Sequence, residues 1–359
     1  MALDPRPYRP FQAYQDTVLD MKRYWTRELY PALQQTYEAK AADMDGPPPK
    51  SATEVDALLA DEPLAQYFGW LERHLQRMKY SGRLGLAPAF DRDRADIETA
   101  LEGPFADGVL ELTDGFEQPD YYTAVDIHQH PGGVWSDELA GAVYERGART
   151  TTPLMGRDAD LHYRFTDQIF ARAGEAKRLL DMGCGFGKST RPFYTERRDM
   201  EVTGVDLAEP CLRLAALTAT EDQARNVHYR QADAADTGLD DSSVDIVTST
   251  MMLHEMPPKH IRAVLKEAGR VLSPGGLSIH LDFLSEDDPF TRYIHYGHAR
   301  RNNEPFMTPL NEMDLDEAHR AAGLEPPEII PFEEMPGTLD AGNTDWRFPW
   351  VIIVSRKAA

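Results

Sequence analysis

From about residue 161 onward, short β-branched apolar runs alternate with stretches of helical periodicity, and few folds accept that alternation. The runs are Arg178-Leu-Leu-Asp181, Glu201-Val-Thr-Gly-Val-Asp206, Val227-His-Tyr-Arg230, Val244-Asp-Ile-Val-Thr248 and Leu277-Ser-Ile-His-Leu-Asp282. Such a pattern predicts βαβ units closing into an α/β domain, a mostly parallel sheet flanked by helices. Two later runs, Glu328-Ile-Ile330 and Trp350-Val-Ile-Ile-Val354, have no helical stretch between them and are expected to pair as an antiparallel hairpin. The expectation is a seven-stranded sheet over residues 161–359 with the last strand antiparallel.

The first hundred residues have the opposite texture. Phe11, Tyr14, Val18, Met21, Trp25 and Leu29 recur at three- and four-residue steps, one apolar stripe on an amphipathic helix that Pro31 should kink or end. Ser51-Ala-Thr-Glu54 reads as a capping box opening a second helix. A third stripe runs through Leu64, Tyr67, Phe68, Leu71, Leu75 and Met78, and Asp91 is expected to cap a short helix that stops at Gly103-Pro104. Residues 1–125 are therefore assigned to a helical unit that packs over the mouth of the α/β domain, because its large aromatics need a partner surface. Residues 104–160 are rich in Gly, Pro and Asp, carry little periodicity and are read as a connecting region with some extended pieces, with 126–160 as the connecting segment between the two units.

Composition narrows the range of partners. With 60 acidic against 38 basic residues the net charge is −22, and such a surface repels nucleic acid and anionic membrane faces. No stretch approaches the roughly 18 consecutive apolar residues that a membrane span requires. Cys184 and Cys211 are the only cysteines, too few for a disulfide framework or a zinc cage. These features point to the cytoplasm and a small-molecule partner, with no metal. A homodimer built on the helical region stays open.

The string that decides the class is Asp181-Met-Gly183-Cys-Gly185-Phe-Gly187, which follows the first strand and opens a helix. Glycines there let the backbone turn tightly and approach a ligand at a helix N-terminus. Dinucleotide enzymes usually place the third glycine three positions after the second; here it comes after two. That spacing, with an acid two residues ahead of the first glycine, suits an amino-acid carboxylate and ammonium better than a pyrophosphate. Asp206 ends the second strand, where a carboxylate can accept ribose hydroxyls. Asp233-Ala234 follows the third strand, and Arg270-Val-Leu-Ser-Pro-Gly-Gly276 turns into the fifth.

This ordered set resembles class I S-adenosylmethionine (SAM)-dependent methyltransferases of the group related to ubiquinone and menaquinone biosynthesis enzymes, most strongly over residues 160–285. The resemblance implies a Rossmann-like fold, SAM as cofactor, and methyl transfer to a small-molecule acceptor by in-line displacement. It assigns Asp181, Gly183, Gly185 and Gly187 to the methionine end, Asp206 to the ribose, Leu207 to the adenine face, and Asp233 and Ala234 to the adenine edge. Thr250 or Met251 would line the sulfonium, and Tyr163 and Arg164 would touch the methionine carboxylate. Two alternatives share the cofactor residues: attack within SAM, as in a cyclase or lyase, and a SAM-binding interaction protein without turnover.

If the acceptor must lose a proton, His254 is the first choice of base, with His280 and His295 behind it, because a neutral imidazole is poised for that task. His280, Asp282, Tyr293, His295, Tyr296, His298, Arg300, Arg301, Asn302, Asn303 and Glu304 follow in the polar and aromatic segment at and after strand five, a place suited to a substrate lid and an acceptor pocket. His295-Xaa-Xaa-His298 lacks the further ligands that a metal site needs. Asp126-Ile-His128-Gln-His130-Pro-Gly-Gly133 is read as a structured turn that could reach the active-site mouth.

Overall fold

The computed structural model describes residues 3–149, 160–285 and 287–358, so the last part of the connecting segment, 150–159, lies outside the described residues. Each apolar run becomes a strand: β2 (Arg178–Met182), β3 (Glu201–Asp206), β4 (Val227–Gln231), β5 (Val244–Thr250), β6 (Leu272–Phe283), β7 (Glu328–Pro331) and β8 (Trp350–Arg356). An extra strand, β1 (Leu110–Glu111), joins the edge beside β4, giving an eight-stranded sheet of order β1-β4-β3-β2-β5-β6-β8-β7. Strands β1 to β6 are parallel, β6 and β8 antiparallel, and β7 pairs antiparallel with β8. The expected hairpin is present. It turns β7 back to the direction of the parallel strands, so β8 is the strand that runs against the rest.

β2 sits at the centre with β3 on one side and β5 on the other. The chain leaves β2 for β3 and later returns to place β5 on its far flank. That reversal opens a crevice beyond the carboxyl ends of β2 and β5, where open parallel sheets bind ligands. Its walls rest on two apolar clusters, one on each face of the sheet, around Leu179, Ile246 and Ile279 and around Leu180, Val247 and Leu265.

The N-terminal stripes are helical. The first runs through Arg9–Tyr24 and, instead of breaking at Pro31, passes through a π-turn (Trp25–Leu29) into Tyr30–Ala42. A proline ring collides with the carbonyl four residues back, and the wider turn, closed by the Tyr30 N–H on the Trp25 carbonyl, relieves that collision without ending the helix. Ser51 accepts from the Glu54 N–H at 3.2 Å, as expected, but the Glu54 carboxylate reaches back one residue further, to the Lys50 N–H at 2.7 Å. Asp91 ends the helix Leu86–Asp91 rather than opening the next, which spans Arg94–Leu101.

Phe11, Trp25 and Phe68 of these helices are buried, whereas Tyr67, expected on the same stripe as Phe68, is 40% exposed. Trp25 stacks on Phe68 with centroids 4.6 Å apart and meets Trp346 at 5.0 Å. Phe290 and Ile294, on helix Pro289–Asn302 after β6, share one core cluster with Val18, Leu33 and Leu71. The region after residue 104 contributes β1, an extended piece as expected, and also the helix Ala140–Ala148, which packs on Glu209–Glu221.

Candidate functional site

One cavity of about 720 Å³ occupies the carboxyl edge of the sheet and is roofed by the N-terminal helices. Its cofactor end is built from the loop after β2. Gly185 has φ +52°, and a Cβ built there would meet nothing within 4 Å, because it would stand in the cavity itself. Gly183 also lines the wall. Asp206, at the end of β3, accepts from the Gly185 N–H and the Ala208 N–H, both at 2.8 Å. Burial raises its carboxyl to about 6 against those two bonds. The carboxylate is held rigid on the cavity wall, and each oxygen keeps a lone pair for a hydroxyl. Leu207, Asp233, Ala234, Thr250 and Met251 line the same space. Asp233 is held by the His260 Nε2 at 2.9 Å and the Ala235 N–H at 2.8 Å. A cradle open at Gly185 and flanked by fixed carboxylates fits an aminoacyl nucleoside such as SAM.

Several residues expected at the ligand stand elsewhere. Asp181 is fully buried and off the cavity wall, where its Oδ2 accepts from the Ser189 and Thr190 hydroxyls at 2.8 and 2.7 Å. Burial raises it to about 6. It shapes the loop from behind. Gly187 is also behind the wall: a Cβ there would come within 2.7 Å of the Tyr229 hydroxyl and 2.8 Å of Ala215, so this glycine serves helix–strand packing. Tyr163 does not line the cavity; Leu161 and His162, on the same helix, do. Arg164 does not line the cavity and pairs with Glu333 at 2.6 Å.

The histidines separate in the same way. His254 lines the cavity in a short 3₁₀ turn after β5, and its Nδ1 lies 2.7 Å from Asp282 Oδ1. Asp282 Oδ2 is fixed by the Leu253 N–H at 2.8 Å. Burial pushes the imidazole down, but the Asp282 carboxylate outweighs it and holds His254 above its ordinary value. His280 is fully buried inside the sheet with Nδ1 on Ser249 and Nε2 on Ser278, at 2.8 and 2.9 Å, and burial lowers it to about 3. With both nitrogens used and no access to the cavity it cannot act as a base. His295 is buried at the edge of Phe283, lowered by burial to about 3, and off the cavity wall. Both its ring nitrogens lack a hydrogen-bond partner among the described residues, and it does not line the cavity where a base would act.

The opposite end of the cavity is polar and formed where the two halves meet. His128, at φ +55°, projects from the turn 126–133 and bridges Glu304 through Nδ1 and Glu255 through Nε2, each at 3.0 Å. Burial opposes its charge, yet the two carboxylates raise it to about 10. His298 reaches Glu72 at 2.5 Å, and Arg301 pairs with the same carboxylate. His130 turns away into the core against Tyr80, lowered by burial to about 4. Glu72, Gln76 and Lys79 come from helix Pro63–Tyr80. They lie at i, i+4 and i+7, a polar edge beside the Phe68, Leu71 and Leu75 stripe, and sequence reasoning passed over them as the border of an amphipathic face. Trp346, Phe348 and Trp350 close the apolar side. Their alternate spacing was a readable sign of an extended segment with one aromatic face.

The charged His128 predicts a pH effect. Its folded pKa lies above the unfolded value near 6.5, so its contribution to stability is full below about 6.5 and is lost as pH rises toward about 10. Urea unfolding of wild type and His128→Gln should diverge most at pH 6.5 and converge by pH 9.5. A gap between the two that does not change with pH would count against the bridge.

Residues 179–276 match the family described as methyltransferase domain. The chain is 33% identical over 196 residues to 27-O-demethylrifamycin SV methyltransferase of Amycolatopsis mediterranei, covering 54% of this chain and 65% of that protein. It is 38% identical over 113 residues to the ubiquinone biosynthesis O-methyltransferase of Idiomarina loihiensis, covering 31% of this chain and 42% of that protein. The chain thus spans less than two thirds of the length of both relatives. Among solved structures it is similar, at TM-score 0.43 and 18% identity over 55% of this chain and 53% of the other, to a Haemonchus contortus phosphoethanolamine N-methyltransferase 2. The family match, the glycine loop and the strand order agree, and residues 179–276 are a methyltransferase domain of the class that uses S-adenosylmethionine.

Proposed function

We propose that the chain methylates a hydroxyl of a small-molecule acceptor, with His254 as general base and Asp282 as its positioning residue. The observation that carries this reading is one cavity holding both the Gly185–Asp206 cradle and the cavity face of His254. SAM, when bound, supplies a methyl group open to in-line displacement. Gly183, Gly185 and the Asp206 carboxylate hold the cofactor, with Leu207, Asp233 and Ala234 around its adenine and Thr250 near the methyl. The Asp282 bond occupies Nδ1 of His254, which leaves Nε2 to take the hydroxyl proton. Much of the rate comes from alignment inside a closed space, and the aromatic wall from Trp25 to Trp350 excludes water. Both relatives act on oxygen by name, and a hydroxyl acceptor has a proton to lose, which gives His254 a task.

Residues 1–125 are read as a lid over residues 161–359, with 126–160 between them: the His128 side chain ties Glu255 to Glu304 within the α/β half, and its carbonyl accepts from the Gln76 amide of the lid at 2.9 Å. Among the described residues no helix is long and apolar enough to cross a membrane. Both thiols are free and buried, which suits the cytoplasm, and the −22 charge disfavours nucleic acid.

Incubation of the full chain with SAM and a panel of phenolic and polyketide alcohols should yield S-adenosylhomocysteine together with a methyl ether. Methylthioadenosine as the product would favour the intramolecular alternative. Tight cofactor binding with neither product across the panel would favour the non-catalytic one.

A further inference from the structure

The acceptor end of the cavity holds two lysine amines that pair with no acid among the described residues. The carboxylates on that part of the wall, Glu72, Glu255 and Glu304, are spent on His128, His298 and Arg301. The arginines of the wall each face an acid, as Arg27 faces Asp345 at 3.4 Å and Arg347 faces Glu334 at 2.6 Å. Two lysines differ. Lys79 is 2% exposed and lines the cavity, yet among the described residues its ammonium has no hydrogen bond or ion pair. Its Nζ stands over the face of the Tyr80 ring, 4.5 Å from the centroid. Lys22, on helix Arg9–Tyr24, lines the same end and is likewise without an acid partner among the described residues.

A buried ammonium without a counter-ion is costly, and a second cation beside it adds to the cost. Burial, with Lys22 nearby, pushes the Lys79 amine well below the ordinary lysine range, against a weaker pull from the Glu304 carboxylate. Burial also lowers Lys22, to about 8. Such an arrangement is what an acid group entering the cavity would complete. Trp25, Leu75, Trp346 and Phe348 line the same end and offer an apolar, ring-shaped berth beside the lysines.

We infer that the acceptor is an acid: an apolar, ring-bearing molecule whose anionic group pairs with Lys79, with Lys22 as the second cation, while its hydroxyl faces His254. This rests on the reading of the cavity as a methyl-acceptor site. It deepens that reading by naming the chemical class of the substrate. It also makes the N-terminal helices contributors to specificity, since both lysines come from them. The chain as a whole is strongly acidic, so a cationic pair in its interior is a local device rather than a sample of the surface.

Calorimetry on the full chain saturated with S-adenosylhomocysteine tests it, with benzoate, phenyl phosphate and benzamide as probes of equal ring size. At least one anion should bind one-to-one and ten-fold or more tightly than benzamide, and the tighter of the two names the acid as carboxylate or phosphate. Lys79→Met should erase that preference and Lys79→Arg should keep part of it. Lys22→Met should weaken it and serves as the second variant if Lys79→Met loses its fold. Equal or better binding of benzamide, no detectable anion binding, or a preference that survives both methionine variants would overturn the inference. The cofactor titration in the same samples keeps the two readings apart. Failure of wild type to bind S-adenosylhomocysteine sinks the proposed function, whereas intact binding without anion preference sinks only the acid acceptor.

Discussion

Gly185→Val is expected to abolish SAM binding, leaving no heat in calorimetry at concentrations that saturate wild type. Two effects act together. The new side chain would stand in cavity space that is open within 4 Å of the built Cβ. Position 185 also has φ +52°, a region that costs an L-residue about 1–2 kcal/mol. Gly185→Ala separates them, since it carries the strain but little of the bulk, and should retain measurable affinity. Asp206→Asn is the companion variant. It keeps one acceptor oxygen but loses the charge, and a hydrogen bond to a charged group is worth roughly 1.5–3 kcal/mol, about ten-fold or more in affinity. Thermal melting checks that each variant is folded. Wild-type affinity in folded Gly185→Val would remove the basis for placing the cofactor there.

His254→Ala is expected to lower kcat by about 10²–10⁴-fold, the usual yield of a positioned general base, while S-adenosylhomocysteine affinity stays close to wild type. Only the neutral imidazole accepts a proton, so the rate should fall as pH drops through its pKa. Asp282 holds that pKa above the ordinary value, which puts the acidic limb above about pH 6.5. Asp282→Asn should move the limb to lower pH without abolishing turnover, a shift that a merely structural role would not produce. Removing the imidazole leaves the buried Asp282 carboxylate with backbone N–H donors but without its cationic partner, a change that can cost about 3–5 kcal/mol. His254→Gln therefore accompanies the alanine variant, because its amide can still donate to the carboxylate. Unchanged turnover and pH profile in both variants would reject the base and leave catalysis to alignment.

What the sequence alone determined is local. The alternation of apolar runs predicted every strand from β2 to β8, because a buried parallel strand needs a short β-branched stretch and a helix to return the chain. The glycine loop, Asp206 and Asp233-Ala234 mark the cofactor class because each sits next to its strand end in the chain. His254 was legible for the same reason: a few residues past β5, at the carboxyl edge, the backbone leaves little choice of where it stands. The two-residue β1 carries no comparable pattern, since an edge strand of that length is specified by its partner β4.

Tertiary structure decided what each side chain faces. His280 and Asp282 lie two residues apart on β6; one is enclosed between two serines and the other orients the base. Asp181 and Gly187, inside the loop motif, face the protein, while Gly185 faces the ligand space. The acceptor end was least legible. Glu72 meets His298 and Arg301 across more than two hundred residues of chain, and His128 meets Glu255 and Glu304 from a turn with no secondary-structure period. Periodicity reports which face of an element is buried but not which distant element covers it. A polar residue on that face reads the same whether it borders solvent or a cavity, and only the packed chain separates the two.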